Sequence, residues 1–136
     1  MAIPARPLRP FGVEIDCDLA APLGAAAQDS LRALLREHGL ILARGQALSM
    51  DRQREICALF GPILLREGET GTMSNAGGGY GASELAWHSD AAYTPDPFDA
   101  LSLHALDVVA EASSTLFIDA QAALMALPAD PRQAPG

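Results

Sequence analysis

Trp87-His88-Ser89-Asp90, followed by Tyr93, Pro95, Pro97 and an apolar run from Ala100, is the stretch on which the reading of this chain turns. In an extended segment side chains alternate, so His88 and Asp90 point to the same side. An imidazole and a carboxylate converging there make two thirds of the 2-His-1-carboxylate facial set. That set holds non-haem Fe(II) and leaves positions open for co-substrate and oxygen. The plain alternative is an ordinary polar turn, and the rest of the chain must decide between them.

Upstream, helical and extended patterns alternate. Phe11, Val13 and Ile15 recur at period two and predict a short strand, entered from a leader carrying Pro4, Pro7 and Pro10. Ala27, Leu31, Leu34 and Leu35 share one helical face, which predicts a helix from Ala25 to His38 with Gly39 as its left-handed cap. Leu40 to Ala43 reads as a short buried strand. Ser49 is a good N-cap for a second helix, Asp51 suits its first turn, and Gly61-Pro62 ends it after an inner face of Ile56, Leu59 and Phe60. Downstream, Leu101, Leu103 and Ala105 alternate with Ser102 and His104, and Thr115 to Ile118 looks extended. A last helix from Ala120 to Leu127 is capped by Asp119 and stopped by Pro128. Helices followed by strands, with a metal half-site at a strand end, fit a jelly-roll or cupin-like barrel.

Residues 67–83 differ, with glycines at 68, 71, 77, 78, 79 and 81 among Thr, Ser and Asn. A phosphate-cradling loop needs G-x-x-x-x-G-K-[ST], and this chain has no Lys. A dinucleotide fingerprint needs its glycines between a strand and a helix, whereas these run toward Trp87. The segment reads as a flexible loop beside the pair, either a lid or a plain solvated connection.

Composition narrows the class. A chain of 136 residues that is 49% hydrophobic suffices for one small domain, and with 5% aromatics its core must be mostly aliphatic. The net charge is -8 and all nine basic residues are Arg, without a cluster, which argues against nucleic acid or an anionic membrane as partner. No apolar run approaches a bilayer span and no signal-peptide pattern opens the chain. Cys17 and Cys57 belong to no motif and read as reduced, half-buried residues of a cytoplasmic protein.

Taken in order, Phe11-Gly12-Val13-Glu14-Ile15, Leu34-x-x-x-His38-Gly39-Leu40 with Arg44-Gly45-Gln46, Phe60-Gly61-Pro62, Trp87-His88-Ser89-Asp90, and Thr115-Leu116-Phe117-Ile118-Asp119 with Ala126-Leu127-Pro128 form an ordered set. That set resembles the N-terminal part of the TauD/TfdA family, the taurine dioxygenase-like, Fe(II)- and 2-oxoglutarate-dependent oxygenases. The resemblance implies an α+β chain built on a double-stranded β-helix with flanking helices, incomplete at its C-terminus. It also implies His88 and Asp90 as iron ligands and Thr115 as a contact to the 2-oxoglutarate carboxylate. The activity it implies is oxygenation of a small organic substrate by O2, with succinate and CO2 as co-products.

The family places its second iron-binding His and its 2-oxoglutarate-binding Arg near the end of the full domain. This chain, read as one domain over 1–136, ends before them in a Pro-rich tail, 129–136, and is expected to be truncated. His104 matches no family ligand and reads as a packed or rim histidine. His38 reads as a favourable charge at a helix end, Arg44 as a structural ion-pair partner, and Ala112-Ser113-Ser114 replaces the family's glycine turn before Thr115. Trp87 and Tyr93 are candidate walls of a substrate pocket, against the simpler reading of a core aromatic and a turn anchor. Two competing readings stand beside the enzyme: a non-catalytic remnant or interaction protein, and a cupin-like small-molecule binder. Strand edges left without partners would expose Leu101, Leu103 and Phe117 and favour self-association.

Overall fold

A computed structural model describes residues 1–64, 85–95, 97–109 and 114–127. The Gly-rich loop at 67–83 and the tail at 129–136 lie outside them. The chain divides into two compact units. One holds Met1–Cys17, Leu23–Gly45 and Ala105–Gly136, the other Asp18–Pro22 and Gln46–His104.

The first unit is built on a three-stranded sheet in the order β1 (Ala5–Pro7), β2 (Val13–Ile15), β3 (Ile41–Ala43). β1 pairs antiparallel with β2, and β2 pairs parallel with β3, Val13 standing opposite Ile41. A parallel step needs a crossover, and α1 (Ala25–His38) supplies it and packs on β3. Val13 and Ile15 are buried, and with Ile3 and Leu31 they form the core of this unit. Glu14, between them on the other face, meets Arg6 of β1 directly across the ladder at 2.8 Å and Arg44 Nε at 3.5 Å. Arg44 is thus the structural ion-pair partner the sequence suggests.

α1 ends as its sequence requires. Gly39 adopts φ 70° and its N–H donates to Leu35 O at 2.8 Å, while Arg36 and His38 stand in the last turn. Ser30 Oγ accepts from Ile3 N at 3.2 Å, which ties the N-terminal segment to the helix. α3 (Ala120–Ala126) begins at Asp119, whose Oδ1 accepts from Ala122 N at 2.9 Å.

The second unit is organised by α2 (Met50–Cys57). Ser49 Oγ accepts from Arg52 N at 3.1 Å as the N-cap. The Arg52 guanidinium then reaches back to Leu19 O (2.7 Å), Ala21 O (2.5 Å) and Glu55 (2.6 Å), while Gln46 Oε1 accepts from Leu19 N at 2.9 Å. Together they clasp the 18–22 segment, with Leu19 buried beneath. Gln53 Nε2 donates to Ser102 Oγ at 3.1 Å and anchors the later stretch.

Three expectations need correction. Residues 101–105 and 115–118 are not strands: neither takes part in a ladder, and Leu101, Leu103, Leu116, Phe117 and Ile118 are exposed. Alternation creates a face for a sheet, but a strand forms only where a partner edge exists, and no described residue supplies one. Conversely, Ala5–Pro7 is a strand inside what reads as a leader. Pro7 is tolerated because it ends an edge strand. No described helix is long and apolar enough to cross a membrane.

Candidate metal centre

The residues from Leu85 to Pro95 form no strand. They fold instead into consecutive turns, and these bring the pair together. His88 Nε2 lies 3.0 Å from Asp90 Oδ1. The convergence expected from the i, i+2 spacing is present, but a turn produces it rather than an extended segment.

The turn is set by Ala91. Ala92 N donates to Ser89 O at 3.3 Å, which puts Asp90 and Ala91 at the two central positions of a β-turn. Ala91 has φ 56°, the left-handed region, at the position where glycine is the ordinary choice. For a residue with a Cβ this costs about 1–2 kcal/mol. Two features offset it: the Ala91 methyl is buried, at 6% exposure, and its carbonyl accepts from both Thr94 N (2.9 Å) and Thr94 Oγ1 (2.7 Å).

The imidazole is oriented from its other side. His88 Nδ1 lies 2.8 Å from Ala86 O, and a carbonyl only accepts, so Nδ1 carries the proton of that hydrogen bond. Nε2 is thereby left facing the Asp90 carboxylate. A lone pair and a carboxylate oxygen 3.0 Å apart repel unless a proton on Nε2 or a metal ion lies between them. The Ala86 carbonyl, followed by the charge and hydrogen bond of Asp90, raises the His88 pKa above the ordinary histidine value, with partial desolvation working against them.

The donor set suits a metal. Two bonds of about 2.1 Å at a right angle leave their donor atoms about 3 Å apart, which matches the observed separation of 3.0 Å. An imidazole nitrogen whose other ring nitrogen is bonded to a backbone carbonyl is the usual oriented histidine ligand. The side chains are 55% and 39% exposed, so both atoms are reachable.

Among the described residues no group of three or more His, Cys, Asp or Glu side chains is arranged to hold a metal. His104 is half-buried in the same unit and belongs to no such group, and His38, at the end of α1, lies 3.9 Å from Glu37. Thr115 is exposed and belongs to the other unit. Trp87 and Tyr93 flank the pair in sequence and are both exposed, so Trp87 is not a core residue. No disulfide joins Cys17 and Cys57, both half-buried. Sequence reasoning missed Ala86, Ala91 and Thr94. Only Thr94 carries a signal, a hydroxyl residue ahead of Pro95 in turn-forming surroundings.

Comparison with known proteins places these features. Residues 4–134 match the family described as "Taurine catabolism dioxygenase TauD, TfdA family". The chain is 30% identical, over 158 aligned positions, to the alpha-ketoglutarate-dependent 2,4-dichlorophenoxyacetate dioxygenase of Cupriavidus pinatubonensis (strain JMP 134 / LMG 1197). That alignment covers 96% of this chain and 54% of the relative, so the chain spans about half the length of the curated protein it matches. No solved structure matches. With a family match running from residue 4 to residue 134, this chain belongs to the TauD/TfdA family.

Proposed function

We propose that this chain serves an Fe(II)- and 2-oxoglutarate-dependent dioxygenase, as the N-terminal part of a single TauD/TfdA domain with the double-stranded β-helix fold. His88 Nε2 and Asp90 Oδ1 are two of the iron ligands, Thr115 contacts the 2-oxoglutarate carboxylate, and Trp87 and Tyr93 face the substrate. Iron bound there supplies the oxidation of an unactivated C–H bond, with 2-oxoglutarate and O2 consumed and succinate and CO2 released.

One observation supports this above the others: the 3.0 Å gap between His88 Nε2 and Asp90 Oδ1, with Nδ1 already committed to Ala86 O. It leaves two donor atoms converging on one point, which a proton on Nε2 fills in the metal-free pair and a metal ion can fill in its place. The residues of this chain then divide the work. Ala86 holds the ring in the tautomer with a lone pair at Nε2, Asp90 contributes the anionic oxygen, and the exposed aromatic faces of Trp87 and Tyr93 offer apolar surface beside them. The relative's name specifies 2,4-dichlorophenoxyacetate, and a small organic acid is the substrate class we assign.

Anaerobic calorimetric titration of residues 1–136 with Fe(II) or Co(II) tests the assignment. Weak binding that disappears in His88→Ala and Asp90→Ala is expected, with little or no succinate formed from 2-oxoglutarate. Equal binding by wild type and both variants would overturn it.

A further inference from the structure

We infer that Thr94 is a positioning residue for the His88–Asp90 pair, acting through the left-handed backbone of Ala91. The inference rests on the reading of that pair as metal ligands and extends it to the groups that hold the ligands in place.

An ion pair between side chains 55% and 39% exposed does not hold its own geometry, because water competes for both partners. His88 is fixed by Ala86 O, whereas among the described residues the Asp90 carboxylate is met by His88. Its placement therefore comes from its backbone. Asp90 occupies the first central position of the turn that Ala92 N and Ser89 O close, and Ala91 occupies the second. That closing bond is long, at 3.3 Å, so the turn depends on Ala91 keeping φ 56°. Alanine does not favour that conformation, and its carbonyl is kept in place by the two donors of Thr94, at 2.9 and 2.7 Å. Removal of the hydroxyl leaves the Ala91 carbonyl to Thr94 N alone, so Ala91 relaxes toward negative φ more readily and Asp90 spends less time against the imidazole. Outer groups that orient metal ligands in this way are typically worth about 10–100-fold in metal affinity.

The test uses residues 1–136 with four substitutions: Thr94→Val, Thr94→Ser, Ala91→Gly and His88→Ala. Co(II) affinity is measured by anaerobic calorimetry, and the ring ¹⁵N resonances of His88 are recorded on metal-free protein at one fixed pH. Thr94→Val should weaken Co(II) binding about tenfold or more and shift the His88 ring resonances. Thr94→Ser, which keeps the hydroxyl, should restore both. In the Ala91→Gly background Thr94→Val should cost less affinity than it does alone, because glycine adopts positive φ unaided. Thr94→Val with wild-type affinity and unchanged ring resonances would overturn the inference. So would Thr94→Val costing as much affinity in the Ala91→Gly background as it does alone. If His88→Ala binds Co(II) as tightly as wild type, the metal-ligand reading fails instead. The ring resonances of metal-free Thr94→Val then still decide whether Thr94 positions the pair.

Discussion

Among the described glycines, Gly12 is where one added methyl should cost most. It sits at φ +91° just before β2, where Val13 N donates to Leu40 O at 2.9 Å and starts the parallel pairing with β3. A Cβ there would lie 3.1 Å from Leu40 Cβ, 3.2 Å from Leu40 Cδ2 and 3.2 Å from Leu40 O. Gly39, at φ +70°, has nothing within 4 Å of its would-be Cβ. Gly39→Ala therefore incurs backbone strain alone, about 1–2 kcal/mol. Gly12→Ala incurs at least that strain plus the cost of overpacking, about 1–3 kcal/mol, for a total of roughly 2–5 kcal/mol. Urea denaturation of both variants, with m compared against wild type, measures the difference. Leu40→Ala in the Gly12→Ala background should recover only part of the loss, because Leu40 Cβ and O remain in place. A Gly12→Ala loss no larger than that of Gly39→Ala, at unchanged m, would show that β2 and β3 are not packed as described.

Three further expectations follow from the packing and charge. Arg52→Ala should cost about 2–3 kcal/mol in urea melts through loss of charge-assisted bonds, and Arg52→Lys should keep less than half of that, since one ammonium cannot span Leu19 O, Ala21 O and Glu55. Equal stability of Arg52→Lys and wild type would refute the clasp. The hydrogen bond to Arg6, opposed by partial desolvation and aided by the charges of Arg6 and Arg44, holds the Glu14 carboxyl below its usual range. A depressed carboxylate contributes stability above its unfolded pKa, about 4.3, and loses it as pH falls through the lower folded value. The stability gap between wild type and Glu14→Gln should thus close on acidification below that point, and a gap that widens would contradict the pairing. Leu101, Leu103, Leu116, Phe117 and Ile118 are all exposed, so light scattering after size exclusion should show association rising with protein concentration. A monomer at every concentration, melting cooperatively, would oppose it.

The helices were legible because each carries its own boundary chemistry. Ala27, Leu31, Leu34 and Leu35 set a face and Gly39 closes it, Ser49 opens α2, and Asp119 opens α3. The strands were legible only where burial stamps a pattern. Val13 and Ile15 alternate around Glu14 because one face of β2 is core. Ala5–Pro7, exposed throughout, has no such stamp and is a strand solely because Val13–Ile15 offers it an edge. Residues 101–105, which alternate, and 115–118, an apolar run of strand-forming residues, are the converse and stay unpaired among the described residues. Pairing is a property of two segments, and one segment's residues do not encode it.

The candidate site divides along the same line. Its candidate donors are written in side-chain identity: the i, i+2 spacing singles out His88 and Asp90, and the ordered motifs around them weigh against a plain polar turn. Its geometry is written in the backbone at Ala91, and an alanine gives no sign that it will adopt φ 56°. A glycine or asparagine there would have announced the turn. Alanine is held there by its buried methyl and by Thr94 three residues later, a tertiary and a medium-range effect that no pattern of apolar spacing records. The convergence of the pair was thus inferred correctly from a wrong local conformation. An extended strand and this turn both put positions i and i+2 on one side, but only the turn closes the donors to 3.0 Å. The spacing of the proposed ligands is therefore set by the residues that hold the turn as much as by the identity of His88 and Asp90.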